Sequence, residues 1–151
     1  MIACDVNVLI FAHDEASARH AEYQAWLTRS AGGTEPFGLP SIVASGFLRI
    51  VTHPKILARP LTADAAIDFM DALRAAPAVV PLEPGRQHWS IFTGLCRQVS
   101  ARGNAVPDAY LAALAIEHGC TWYSADRGFA RYPGLRFRHP LDVPPTAERR
   151  A

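Results

Sequence analysis

Short apolar runs alternate with longer stretches at helical spacing, and the alternation predicts a β–α rhythm along most of the chain. Ile2-Ala3-Cys4, closed by Asp5, reads as a short buried strand, with Asn7 placed to cap a helix after it. Residues 18–30 carry Ala21, Ala25 and Trp26 at helical spacing, and Gly32-Gly33 ends that helix. Phe37–Pro40 reads as a second strand, and Ser41–Val51, apolar nearly throughout, as a buried helix broken before Pro54. Thr62 is placed to cap a helix running to Ala75, with Ile67, Met70 and Leu73 along one side and Asp64 in its first turn. A strand bounded by prolines (77–82) and a helix over 87–101 follow, then a turn at Arg102–Asn104. Pro107 is expected at the first position of a helix that ends at Gly119. Thr121–Ser124 reads as a strand, 127–132 as a turn of helix, 135–138 as a last strand and 144–151 as a frayed tail. Strands separated by helices imply parallel pairing, hence an α/β fold: a three-layer α/β/α sandwich with a short, mainly parallel central sheet over residues 1–143.

Composition narrows the class. At 151 residues, half of them hydrophobic and 19% charged, the chain suits one well-cored domain and not a disordered one. No apolar run is long enough to span a membrane, and no secretory leader opens the chain, so a cytoplasmic protein without a membrane partner is expected. Cys4, Cys96 and Cys120 are odd in number and lack metal-type or redox-type spacing, which suits reduced, buried thiols. A net charge of +1 decides nothing about nucleic acid. Its distribution adds one point: Arg127, Arg131, Arg136, Arg138 and His139 lie together without an intervening acid. Guanidinium forks match phosphates, although a solvated face is the plainer explanation. The histidines show no paired metal spacing, and neither a nucleophile elbow nor a glycine-rich phosphate loop is present.

The chemistry rests on three aspartates at junctions between elements. Asp5 and Asp126 follow the first strand and the Thr121 strand, and Asp108 falls in the first turn of a helix. Each has an ordinary explanation alone: a turn residue, a helix-dipole acid, a cap. Together they converge, because the carboxyl ends of neighbouring parallel strands are where α/β sheets place ligands. Carboxylates gathered there repel one another unless a hard cation offsets them, and oxygen-only ligation suits Mg²⁺ or Mn²⁺. Asn7 and Ser124 would lie on the same edge, able to orient a carboxylate or a metal-bound water.

Four blocks carry a family resemblance. They are Asp5-Val-Asn7-Val-Leu-Ile; Gly38-Leu-Pro with Phe47-Leu-Arg-Ile-Val-Thr-His-Pro54; Gly103-Asn-Ala-Val-Pro-Asp108-Ala-Tyr-Leu-Ala-Ala-Leu-Ala-Ile-Glu-His-Gly119; and Ser124-Ala-Asp126-Arg-Gly-Phe-Ala-Arg-Tyr-Pro-Gly-Leu135 with His139-Pro-Leu141. In this order they resemble a PIN-domain ribonuclease of the VapC toxin type over nearly the whole chain. The resemblance implies a PIN-like fold and an Mg²⁺- or Mn²⁺-dependent endoribonuclease that cuts single-stranded or looped tRNA or rRNA and so inhibits translation. It also implies a small cognate antitoxin and a homodimer, and it puts Asp5, Asp108 and Asp126 on the family's metal-binding positions. Two departures stand out. The family supplies a further acid from the helix after the second strand, where this chain has Ala44, Ser45 and Gly46. It often has another Asp two residues beyond Asp126, where this chain has Gly128. Fewer charged oxygens weaken metal affinity; Ser45, waters or the RNA phosphate would have to fill the gap.

Hydrolysis by metal-activated water is the leading expectation, with Arg49, Arg127 and Arg131 as candidate phosphate contacts and Arg49 alternatively a buried structural partner. The rival is a catalytically weak PIN protein that acts by binding RNA or antitoxin. An aspartyl phosphatase is disfavoured, because Asn7 stands where its second acid belongs and Lys55, the one lysine, is badly placed. Trp26, Phe47, Phe69, Met70 and Trp89 are expected mainly in the core.

Overall fold

The computed structural model describes residues 1–142, so the expected tail lies outside the described residues. Five strands and six helices alternate: β1 (Ile2–Cys4), α1 (Val6–His13), α2 (His20–Ala31), β2 (Phe37–Pro40), α3 (Ser41–Val51), α4 (Ala63–Arg74), β3 (Val79–Leu82), α5 (His88–Gln98), α6 (Ala105–Glu117), β4 (Thr121–Tyr123) and β5 (Arg136–Arg138). A 3-10 turn, Arg127–Arg131, precedes β5. The strands form one sheet in the order β3-β2-β1-β4-β5, and every pairing is parallel. The order reverses at β1, so the switch point lies between β1 and β4, and both Asp5 and Asp126 lie just beyond it.

Local chemistry explains the elements. All four residues of β2 are buried. At Gly38 a β-carbon would come 2.9 Å from Leu82 Cδ2 and 3.2 Å from its Cβ, so any larger residue would have to displace the buried Leu82 side chain. Pro81, which lacks a donor, is confined to the edge strand β3. Thr62 caps α4 by accepting from Ala65 N, and Asp64 lies in its first turn. Leu9, Phe37, Phe47, Leu82, Leu114, Trp122 and Phe129 are fully buried between the layers.

Several expectations shift. Asn7 does not cap α1: the cap is Asp5, whose Oδ1 accepts from Val6 N at 2.7 Å. Pro107 is the third residue of α6, not the first, because the helix starts at Ala105. The buried face of α2 is Tyr23, Trp26 and Leu27, while Ala21 and Ala25 are exposed. On α4, Ala66 joins Met70 and Leu73 inside, and Ile67 is 41% exposed. Trp89 is 71% exposed, against the expectation of a core residue: it lies in the first turn of α5, whose buried residues are His88 and Leu95, and packs only edge-on to Phe92 among the aromatic rings described. Cys4 and Cys120 are buried and all three thiols are free.

Candidate active site

Asp5 is 8% exposed, and its carboxylate sits at the centre of a hydrogen-bonded knot. Its Oδ2 accepts from Ser124 Oγ at 2.9 Å and from Asn7 Nδ2 at 3.3 Å. Asn7 also donates to Ser124 Oγ at 3.1 Å, and its Oδ1 accepts from Ala125 N at 3.2 Å. Ser124 Oγ in turn accepts from Asp126 N at 3.0 Å. One serine hydroxyl therefore joins the end of β1 to the segment that carries Asp126, and the fully buried Ser124 has its polar group satisfied. Asp126 itself is exposed, and its Oδ1 accepts from Gly128 N at 2.8 Å, capping the 3-10 turn.

Burial raises the Asp5 carboxyl to about 6; hydrogen bonds from Ser124 and Val6 oppose the shift, and the charges of Asp108 and Asp126 add to it. Asp108 is raised as well, first by burial and then by Asp126, with Arg131 pulling the other way. Asp5 thus feels the charge of both other aspartates, and Asp108 that of Asp126. Arg131 supplies the local counter-charge: its guanidinium lies 3.5 Å from Asp108 Oδ2 and over the Tyr132 ring, 5.1 Å from the centroid. Tyr132 donates from its hydroxyl to Ala105 O at 2.9 Å, which ties the 3-10 turn to the start of α6.

The fit to a metal ion can be judged from the donors. All are oxygens, the chemistry a hard cation takes. Among the described residues, however, no three His, Cys, Asp or Glu side chains are gathered closely enough to enclose an ion as they stand. Mg²⁺ resists dehydration and is commonly held by one or two carboxylates through a largely retained water shell, so a spread carboxylate set fits it better than it fits a dehydrated ion.

The remaining candidates divide. Asn7 and Ser124 orient Asp5. Ser45 is exposed on α3 and makes no hydrogen bond to the carboxylates among the described residues. Where the resemblance expects a helix acid there is room, since a β-carbon at Gly46 would meet only Val6 Cγ2, at 3.7 Å. At Gly128 the opposite holds: a β-carbon would come 2.9 Å from Asp126 Oδ1, so an acid there would displace the cap. Arg49 is exposed, which removes the buried-partner reading. Arg127 is held by Asp142 at 2.8 Å. The arrangement of Arg131 on Tyr132 was not legible in the sequence, since Tyr132 carries no signal beyond its apolar neighbours.

Comparison with known proteins accords with the fold. The PIN domain family matches residues 2–135. Ribonuclease VapC43 of Mycobacterium tuberculosis is 49% identical over 142 residues, covering 94% of this chain and 97% of the relative. This chain belongs to the PIN-domain family, among the VapC-type ribonucleases. Ribonuclease VapC25 of the same species is 36% identical over 140 residues, covering 93% of this chain and 99% of that protein. Among solved structures, VapBC2 from Rickettsia felis, bound to a DNA fragment from its promoter, superposes with a TM-score of 0.69 at 18% identity, covering 92% of this chain and 98% of the other. That likeness speaks for the PIN-like α/β/α fold. No helix among the described residues is long and apolar enough to cross a membrane.

Proposed function

We propose that this chain is a metal-dependent endoribonuclease toxin that cuts single-stranded or looped RNA, of the tRNA or rRNA class, and is neutralised by a cognate antitoxin. The observation that carries the reading is the buried Asp5 carboxylate, coupled in charge to Asp108 and Asp126 at the switch point of the sheet. Family membership and relatives named as ribonucleases support it. Asp5 and Asp108 would hold Mg²⁺ or Mn²⁺, with Asp126 completing the set or orienting the attacking water. The bound ion would supply Lewis-acid stabilisation of the phosphate and a more acidic water. Ser124 and Asn7 keep Asp5 in one rotamer, so that its free lone pair on Oδ1 faces a fixed direction. Arg131 holds counter-charge at the site and is placed to meet a phosphate once Asp108 turns to another partner. Water attack leaves a 5′-phosphate and a 3′-hydroxyl. A cytoplasmic homodimer belongs to the same proposal, and sedimentation tests the assembly.

The deciding experiment incubates the antitoxin-free chain with total tRNA and rRNA in Mg²⁺ or Mn²⁺ and sequences the new 5′ ends. EDTA and Asp5→Asn controls run beside it. Discrete cuts lost in both controls are expected. A 2′,3′-cyclic phosphate product would overturn the mechanism. A folded wild-type chain that cuts with neither metal would favour the rival reading of a weak, binding PIN protein, to which the spread of the carboxylates lends its one argument.

A further inference from the structure

A groove of about 730 Å³ runs between α2 and the end of β5, and the catalytic reading does not use it. Trp26 and Arg29 line it from α2, Tyr123 from β4, and Arg138, His139 and Asp142 from the end of β5 and the loop beyond. A second hollow of about 300 Å³ shares Trp26, Arg29 and Tyr123 and continues to Glu35, so the two form one track along the flank of the sheet.

Its charges are unevenly committed. Three acids line the track, and each is already paired within the chain: Glu22 with Arg19 at 2.7 Å, Asp142 with Arg127 at 2.8 Å, and Glu35 with the N-terminal amine at 3.2 Å. The two arginines, Arg29 and Arg138, are exposed and have no acidic partner among the described residues. The track therefore presents net positive charge to an incoming ligand. Its floor offers one accessible aromatic ring, the half-buried Tyr123, backed by the buried Trp26 at 4.9 Å between ring centroids. Guanidinium groups beside aromatic faces are the combination that tracks single-stranded nucleic acid, phosphate by charge and base by stacking.

Position links the track to the carboxylates. The Tyr123 carbonyl accepts from Asp5 N at 2.9 Å, and the residue after it is Ser124, the hub of the Asp5 knot. Arg127, which closes the rim through Asp142, directly follows Asp126. The groove lies at the carboxyl ends of β4 and β5, beside the segment that carries Asp126, and the second hollow leads from it toward the amino ends of β1 and β2; none of the three aspartates lines either.

We propose that this α2–β5 groove is a binding track for single-stranded RNA, holding the strand that leads away from the cleaved phosphate. The proposal rests on the nuclease reading above and adds a substrate-binding surface to it.

The test measures binding of a fluorescent oligouridine of about a dozen nucleotides, a length within the usual span of such surfaces. It is done in EDTA by anisotropy over a range of salt. Arg29→Glu/Arg138→Glu is compared with Arg59→Glu/Arg86→Glu, an equal charge change at exposed sites that do not line the track. The groove variant should bind at least about tenfold more weakly, with a salt slope shallower by about 1.4, the value for two lost phosphate contacts on a single strand. The control should stay within about twofold of wild type, as expected for general charge screening. A 4-thiouridine version of the RNA should crosslink to the α2 and β4–β5 segments. Equal losses in both variants, no binding by the wild type, or crosslinks confined to other faces would each overturn the track. So would unchanged RNA binding with lost binding of the cognate antitoxin, which would assign the groove to a protein. Gel analysis of the same RNA after adding Mn²⁺ reports separately on cleavage, so failure of the track and failure of the nuclease reading are told apart.

Discussion

Asp5 does two jobs that oppose one another. As the cap of α1 it satisfies a backbone donor, yet as a buried anion facing two other acids it destabilises the fold. The sign follows from its raised pKa. Between the usual carboxylate value near 3.8 and about 6, the folded chain holds a proton that the unfolded chain has released. The stability of the metal-free chain should therefore fall as pH rises through that window and level off above it. The loss is on the order of 2–3 kcal/mol. Urea unfolding at pH 4 and pH 7 in EDTA measures it, and Asp5→Asn should remove most of the slope. A stability flat in pH, or rising from 4 to 7, would contradict the buried-anion account. Ser124 makes a second residue-scale case. Ser124→Ala deletes the one group bonded to Asp5, Asn7 and Asp126, and should cost about 1–3 kcal/mol with a marked loss of cleavage. Cleavage at the wild-type rate would show that orientation of Asp5 does not need the hydroxyl.

At the scale of elements, α3 is where the resemblance expects a further acid and the chain has Ala44, Ser45 and Gly46. Its boundaries, Ser41–Val51, were fully legible, because an unbroken apolar stretch between Pro40 and the break before Pro54 allows little else. What periodicity could not reveal is that Gly46 faces α1 at Val6, the neighbour of Asp5, with space for a side chain. Gly46→Glu should stabilise α3 by about 0.5 kcal/mol through helix propensity. It should also tighten Mn²⁺ binding by adding a charged oxygen donor near the site. Calorimetric titration of Mn²⁺ reads the second effect; an unchanged or weaker affinity would show that the α3 position does not reach the ion. The start of α6 was misjudged by two residues. Pro107 fits any position of a helix's first turn that lacks a required donor, so sequence alone did not fix which.

For the whole molecule, the sheet order β3-β2-β1-β4-β5 makes the site, by bringing Asp5 and Ser124 together across 119 positions. If the carboxylates hold a divalent ion, that ion binds the folded state and raises its stability by mass action, about 2.7 kcal/mol at a hundredfold excess over Kd. The gain should be larger at pH 7 than at pH 5, because Asp5 is mainly protonated below about 6 and a proton competes with the ion. Thermal melts with and without Mn²⁺ at the two pH values check this. An equal shift at both would place the ion away from Asp5.

The sequence by itself determined the α/β class, the bounds of β2 and α3, the cap at Thr62 and the places of Asp5 and Asp126 after strands and of Asp108 in a helix's first turn, because periodicity, caps and turn residues act over a few neighbouring positions. Only the tertiary structure decided the rest. It made Asp5 and not Asn7 the cap of α1, left Trp89 and Arg49 in solvent, set Arg131 against Asp108 and opened the basic groove beside β5. Those outcomes depend on which distant segments meet, and pairing across the sheet is settled by packing over the whole chain and not by any local run of residues.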